Sequence, residues 1–324
     1  MKAVTRRSVL LATAALAAMG SRGSAAAYPE RTVRIVVPFA PGGPTDIMAR
    51  LVAARLGERL NGTFVVDNRP GAGGNIGMSL VSHAEPDGYT LMIMSSALVV
   101  NPALYKNVPY NPATDFTPIA ELGTSPNVFL ATPASGITSI ADIVRRAKAD
   151  SKALVYASPG IGTTPHLSGE LLKLAAGFEM VHVSYNGAGP AIQALLSNSV
   201  PVACVSLPPA HALIAGGQLK PLAVTSRNRW FDLKDVPTMT ELGYADFVTD
   251  TFQSFLAPAK LPQAIVDALE SAVLAILREP VVAEQLQTNG FEVIAHGADG
   301  MAQRIRDEFP KWRAIVTKAG INPT

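Results

Sequence analysis

The sequence predicts an α/β protein built as two lobes with a ligand cleft between them. Three observations carry this expectation. Short apolar runs of strand length alternate with helical stretches along most of the 324 residues, which is the pattern of strands connected by helices. One unit of strand, glycine-bearing turn and helix lies at 33–60, and a second lies at 154–177. The chain is long enough for each half to bury a core of its own.

The first residues read as a targeting segment. Lys2, Arg6 and Arg7 form a basic start, residues 8–21 carry no charge, and Ala25-Ala26-Ala27 supplies the small residues a signal peptidase needs. A signal peptide over residues 1–27, cleaved after Ala27, is therefore expected. Thr5-Arg6-Arg7-Ser8-Val9-Leu10 also resembles a twin-arginine export signal. The segment holds four basic residues and no acidic one, so its removal leaves 23 Lys and Arg against 25 Asp and Glu, a net charge of −2. That balance gives no reason to expect a nucleic acid or another polyanion as partner. No window reaches the roughly 18 uncharged apolar residues that a membrane span requires. The single cysteine, Cys204, sits in the apolar run Val200–Leu207 and is expected to be buried.

In the first unit, Val33–Val37 is a strand and Phe39–Pro44 a turn, and Thr45 is the expected cap of a helix running to about Leu60. Met48, Val52, Leu56 and Leu60 recur at i, i+4 and form its apolar stripe, while Arg50, Arg55, Glu58 and Arg59 face water. Phe64–Val66 and Tyr89–Met94 are further strands. In the second unit, Leu154–Ala157 is a strand, Ser158–Gly162 a turn, and Thr164 caps a helix with Pro165 at its first position and Gly177 past its end. Val181–Val183, Val200–Val205 and Leu222–Thr225 follow as strands, with a helix starting at Pro190. Pro262–Arg278, Val281–Asn289 and about Met301–Ala319 are helical, with stops at Asn289-Gly290 and Gly320.

The two turns carry the chemistry. A helix N-terminus presents unpaired N–H groups and a positive dipole end, and glycines let a ligand approach that backbone. Phe39–Asp46 and Ala157–His166 both have this form and contain no Lys or Arg. They suit capture of a carboxylate or phosphate by amides, hydroxyls and water. The most glycine-rich stretch, Arg69–Gly77, fails the dinucleotide fingerprint because Ile76 stands where its third glycine belongs. No nucleophile elbow is present, and the five histidines at 83, 166, 182, 211 and 296 lack metal-ligand spacing. No catalytic residue, cofactor or metal is expected. His166 and His182 are expected to be structural or pocket-wall residues.

Ile35-Val36-Val37-Pro38-Phe39-Ala40-Pro41-Gly42-Gly43-Pro44-Thr45-Asp46 is followed by Asn68-Arg69-Pro70-Gly71-Ala72-Gly73-Gly74-Asn75-Ile76-Gly77 and Pro86-Asp87-Gly88-Tyr89-Thr90-Leu91. Tyr156-Ala157-Ser158-Pro159-Gly160-Ile161-Gly162-Thr163-Thr164-Pro165-His166-Leu167 comes later, then Val181-His182-Val183-Ser184-Tyr185. In this order these runs resemble the Bug family of extracytoplasmic solute receptors, the TctC-type binding components of tripartite tricarboxylate transporters. The resemblance covers Tyr28 to Ile321.

The resemblance implies a type II-like periplasmic-binding fold of Venus-flytrap form. One lobe would comprise 28–127 plus 253–324 and the other 128–252, with hinge strands near Asn127–Thr132 and Asp250–Ala257. It implies a periplasmic, monomeric receptor that captures a small organic carboxylate, performs no chemistry on it, and passes it to transporter membrane subunits. Presentation to a membrane sensor kinase is the alternative role, and an exported hydrolase a more distant one. The family's ligand roles fall on Phe39, Gly42, Gly43, Pro44, Thr45 and Asp46 in the first turn, where part of the contact runs through ordered water. In the second turn they fall on Ala157, Gly162, Thr163, Thr164 and His166. Ser96, Ala97, Tyr185 and Ser206 are candidates for the cleft wall. Val205-Ser206 stands where many relatives carry Asp-Asn, and Ser184-Tyr185-Asn186-Gly187 where many carry Pro-Tyr-Lys-Gly. The missing acid and base would suit a ligand whose distal end is less polar or uncharged.

Overall fold

The computed structural model describes residues 28–150, 154–245 and 247–318. The expected signal peptide and the helix stop at Gly320 lie outside the described residues. The strands are β1 (Val33–Val37), β2 (Phe64–Asn68), β3 (Thr90–Ser95), β4 (Phe116–Ala131), β5 (Val155–Ser158), β6 (Val181–Ser184), β7 (Val202–Ser206), β8 (Lys220–Val224), β9 (Asp250–Pro258) and β10 (Glu292–His296). The α-helices are α1 (Pro44–Leu60), α2 (Asn75–Ser82), α3 (Ala97–Leu104), α4 (Ile140–Ala149), α5 (Thr164–Ala176), α6 (Ala188–Leu196), α7 (His211–Ala215), α8 (Gln263–Leu277), α9 (Pro280–Thr288) and α10 (Ala298–Lys318).

The strand order is β2-β1-β3-β9-β4-β7-β5-β6, with β8 and β10 also paired to β4. The β1, β2 and β3 strands are parallel, as short strands joined by helices must be. The same holds for β5, β6 and β7. Two strands join these regions. The first part of β4 pairs antiparallel with β9, from Phe116↔Pro258 to Pro126↔Asp250. Its last residues, Asn127–Ala131, pair instead with β7 and β8.

The apolar pattern decides what each element covers. Val33, Ile35, Val36 and Val37 are all fully buried, as expected of a central parallel strand covered on both faces. Met48, Val52 and Leu56 on α1 are likewise fully buried, each contributing about 1.5–3 kcal/mol, while Leu60 at the helix end is half-buried. One core draws on residues between Val33 and Leu122 and between Phe252 and Val316, with Leu167 added. Two others flank the β5–β8 region and draw on residues between Val128 and Phe247.

Several expected boundaries shift for local reasons. The N-cap of α1 is Gly43, not Thr45, because Pro44 takes the first position, where a missing N–H costs nothing. The N-cap of α5 is Thr163, not Thr164; its hydroxyl accepts from the His166 N–H at 3.4 Å, and Pro165 becomes the second residue. The α6 helix starts at Ala188 rather than Pro190, since a proline inside the first turn removes no intrahelical bond. The α10 helix starts at Ala298 rather than Met301, whose N–H already bonds Gly297 O at 2.9 Å. The strand expected at Val200–Val205 runs from Val202 to Ser206, and the one expected at Leu222–Thr225 from Lys220 to Val224.

Candidate functional site

The β1–α1 turn, the β5–α5 turn and the start of α6 meet around one cavity. It is lined by Phe39, Gly43, Pro44, Thr45, Ser95, Pro159, Thr163, Thr164, Pro165, Ala188, Ser206 and Thr251, and it spans about 340 Å³ of space, open solvent at its mouth included. None of the twelve lining residues is charged. Electrostatics here come from the backbone. Three helices of eight or more residues, α1, α5 and α6, point their N-terminal ends at the cavity. The N-caps of α1 and α6 are Gly43 and Gly187, with no side chain to satisfy the first-turn amides. Converging dipoles and open N–H groups make a site for an anion.

The hydroxyls divide into committed and free. Thr163 Oγ1 donates to Gly160 O at 2.7 Å, which holds the second turn in shape. Thr164 Oγ1 lies 2.6 Å from Thr251 Oγ1, and Thr251 donates to Asn127 Oδ1 at 2.8 Å. Asn127 Nδ2 donates in turn to Ser168 and Thr249, each at 3.1 Å. This buried network ties the start of α5 to β4 and β9 behind the cavity. Thr45 and Ser206 hydroxyls have no partner among the described residues and remain available to a ligand.

Of the residues expected at the site, Phe39, Gly43, Pro44, Thr45, Thr163, Thr164 and Ser206 line the cavity. Gly42, Asp46, Ser96, Ala97, Ala157, Gly162, His166 and Tyr185 do not. Asp46 turns away from it. Its carboxylate accepts from the Gly42 N–H at 3.0 Å, Arg50 Nε at 2.9 Å and Asn68 Nδ2 at 2.9 Å. Burial disfavours its charge, but Arg50, Gly42 and Asn68 outweigh burial and hold the carboxyl below its ordinary range. Asp46 therefore clamps the turn. Ser96 and Ala97 sit just past Ser95, and the Ala97 N–H donates to Ser95 Oγ at 3.3 Å. Ala157 is fully buried in β5. The Tyr185 N–H bonds Ser158 O at 3.0 Å, and its ring is half-buried against one of the β5–β8 cores.

His166 and His182 stack with ring centroids 4.4 Å apart. Burial lowers the first to a pKa of about 4, with Lys173 adding to the effect, and lowers the second to about 3, with His166 adding. Both are neutral near pH 7. Ser158 Oγ lies 2.7 Å from His182 Nε2, but Ser158 is fully buried and neither residue lines the cavity. Cys204 is a free thiol at 0% exposure, and burial pushes its pKa far up. Among the described residues no group of His, Cys, Asp or Glu is placed to hold a metal ion, and no helix is long and apolar enough to cross a membrane.

Ser95, Thr251 and Ala188 were not expected at the site, and neither were Pro159 and Pro165 of the second turn. The first two reach it through strand pairing, and the third belongs to the helix whose start was misplaced at Pro190. The Arg69–Gly77 stretch packs protein against protein. A β-carbon on Gly73 would overlap Ile161 O, and Tyr105 Oη, beside it, donates to that same carbonyl at 3.2 Å. A second contact between the two turn regions joins the Ala40 N–H to Asn186 O at 2.9 Å.

A family model described as tripartite tricarboxylate transporter family receptor matches residues 48–321. The solved structure of the periplasmic binding protein BugD is 35% identical, with a TM-score of 0.89 over 92% of this chain and 100% of that one. A protein of R. palustris solved with adipate is 36% identical, with a TM-score of 0.88 over 92% of this chain and 100% of that one. MatC from Rhodopseudomonas palustris, solved with bound malate, is 31% identical, with a TM-score of 0.86 over 89% of this chain and 100% of that one.

Proposed function

The chain belongs to the tripartite tricarboxylate transporter family of receptors, and from that premise we propose that it captures a small organic carboxylate in the cavity between its two glycine-bearing turns. The observation that carries this reading is the convergence of three helix N-termini on a cavity with no charged side chain. Such a site favours a negative ligand through backbone amides and dipoles. The adipate and malate held by the two relatives are small carboxylates, which agrees with the proposal. The family is one of solute receptors, and the fold is that of an α/β periplasmic binding protein.

On this reading Thr45 and Ser206 contact the ligand directly, with the first-turn amides of α1. Gly42 and Asp46 hold the first turn, Gly162 and His166 support the second, and Ser96, Ala97, Ala157 and Tyr185 buttress the wall. The lobes are residues 28–127 plus 253–324 and residues 128–252, a division that the separation of the apolar cores supports. Residues 1–27 direct export to the periplasm and are then removed. The receptor acts there as a monomer and delivers its ligand to membrane subunits of a transporter.

The test uses protein purified from the periplasm of a bacterial host expressing the full chain. Recovery of a product beginning near Tyr28 supports export. Thermal unfolding is then followed against a panel of small carboxylates, where a ligand at 100 times its Kd adds about 2.7 kcal/mol of stability. Gly43→Trp fills the cavity, since the space beside Gly43 holds nothing nearer than Ala188 N at 3.8 Å. The reading stands if an acid raises the midpoint and G43W abolishes the rise. It falls if only uncharged solutes do so.

A further inference from the structure

Gln253 is fully buried, and neither its Nε2 nor its Oε1 has a hydrogen-bond partner. It is the only side chain among the described residues with both ends of an amide in that condition. A buried amide left unpaired is costly, and native proteins rarely retain one without an occupant to satisfy it. Its position locates the occupant. Gln253 is directly opposite Ser95 in the β3–β9 pairing, so the two side chains share a face of the sheet. Thr251, two residues away on the same strand, shares that face as well. Ser95 and Thr251 both line the cavity, and Gln253 lies beside them on that face, one layer behind the lining. On the other side Gln253 faces Gly123, which offers no side chain to bond. Ser125, opposite Thr251 on the same face, is also fully buried with an unpartnered Oγ.

Resting on the carboxylate-capture reading, we infer that Gln253, with Ser125, recognises the far end of the ligand and selects an uncharged group that both donates and accepts hydrogen bonds. A carboxamide or hydroxyl satisfies Nε2 and Oε1 together. A second carboxylate accepts from Nε2 but leaves Oε1 without a donor, and no cationic side chain lines the cavity to offset the added charge. A terminal methyl leaves both ends of the amide unpaired. The preferred ligand is then a monocarboxylate whose other end is a neutral polar group. The first carboxylate stays at the helix N-termini.

The experiment measures Kd by calorimetry for glutarate, glutaramate and valerate, with their four- and six-carbon homologues, on the full chain purified from the periplasm and on Gln253→Leu and Gln253→Glu. The wild type is expected to bind the amide acid at least about tenfold tighter than both the dicarboxylate and the alkyl acid of the same length. Q253L is expected to remove that gap, mainly by weakening the amide acid, while the ligand-free melting point holds or rises. Q253E is expected to lose the amide preference as well. A wild type that prefers the dicarboxylate, or a Q253L protein that folds and keeps the wild-type order, overturns the assignment of Gln253 and leaves the carboxylate site intact. A lower melting point in Q253L with an unchanged ligand order also overturns it, because the amide is then satisfied without ligand. If no acid of any length binds the wild type, the carboxylate reading itself fails.

Discussion

Gly162 and Asn101 occupy one space: a β-carbon on Gly162, whose φ is +87°, would overlap Asn101 Oδ1. Asn101 cannot withdraw freely. Its Nδ2 donates to Gly73 O at 3.0 Å and to Asn75 Oδ1 at 2.7 Å, while Oδ1 is buried without a partner. The second turn thus meets α3 and the Arg69–Gly77 stretch only because residue 162 has no side chain. Gly162→Ala is expected to push the two turn regions apart. Overpacking costs about 1–3 kcal/mol, so ligand affinity should fall by about thirtyfold at a 2 kcal/mol penalty to the contact between the second turn and α3. Titration calorimetry with an acid that stabilises the wild type checks this. In an Asn101→Ala background the same substitution should cost clearly less, because the overlapping atom is gone.

Tyr105 and Ile161 make a gentler version of the same contact, with the hydroxyl donating to the carbonyl at 3.2 Å. Tyr105→Phe removes one hydrogen bond and no volume. A loss of about 0.5–1.5 kcal/mol is expected in ligand binding, which is about two- to tenfold in Kd. Equal affinity in Y105F and wild type would show that this bond plays no part in shaping the ligand site.

Asp46 has three donors on its carboxylate and almost no exposure, at 3%. Asp46→Asn keeps the shape but turns one acceptor into a donor facing other donors. A loss of about 1–3 kcal/mol in unfolding free energy is expected, measured by denaturant titration near pH 7. Weaker ligand binding should accompany it because Gly42 and Gly43 lose their anchor.

The stacked pair His166 and His182 sets a pH dependence. Their pKa values are lowered to about 4 and about 3, against an unfolded value near ~6.5. Below pH ~6.5 the unfolded chain takes up protons that the folded one refuses, so stability is full above that pH and declines as pH falls toward the folded values. Each histidine contributes a slope of up to about 1.4 kcal/mol per pH unit in this window. His182→Gln is expected to flatten the dependence of melting temperature on pH between 6.5 and about 4. An unchanged slope would falsify the assignment.

Cys204 lies in β7 at 0% exposure with its thiol held protonated by burial. Alkylation by iodoacetamide in the native protein is expected to be slower than in the denatured chain by orders of magnitude, limited by local opening. Mass spectrometry of the two samples checks it.

The sequence by itself determined the α/β class, the positions of the two glycine-bearing turns and the buried stripe of α1. These rest on local signals: alternation of short apolar runs with i, i+4 spacing, and Gly and Pro at points where the backbone needs them. The family resemblance, rather than any local signal, named Phe39, Gly43, Pro44, Thr45, Thr163, Thr164 and Ser206 as site residues, and these line the cavity. Tertiary structure decided the rest. Ser95 reaches the cavity, and Gln253 lies beside it, only because β3 and β9 pair in that register across more than a hundred residues of chain. Ala188 enters because α6 starts two residues before its proline. Asp46, in α1, turns away from the cavity because Asn68, at the end of β2, donates to it at 2.9 Å. The glycines at 73 and 162 matter for what they leave room for, Ile161 and Asn101, which no local pattern names. Propensity and periodicity act over a few residues, whereas pairing register and close approach are set by packing between segments far apart in the chain.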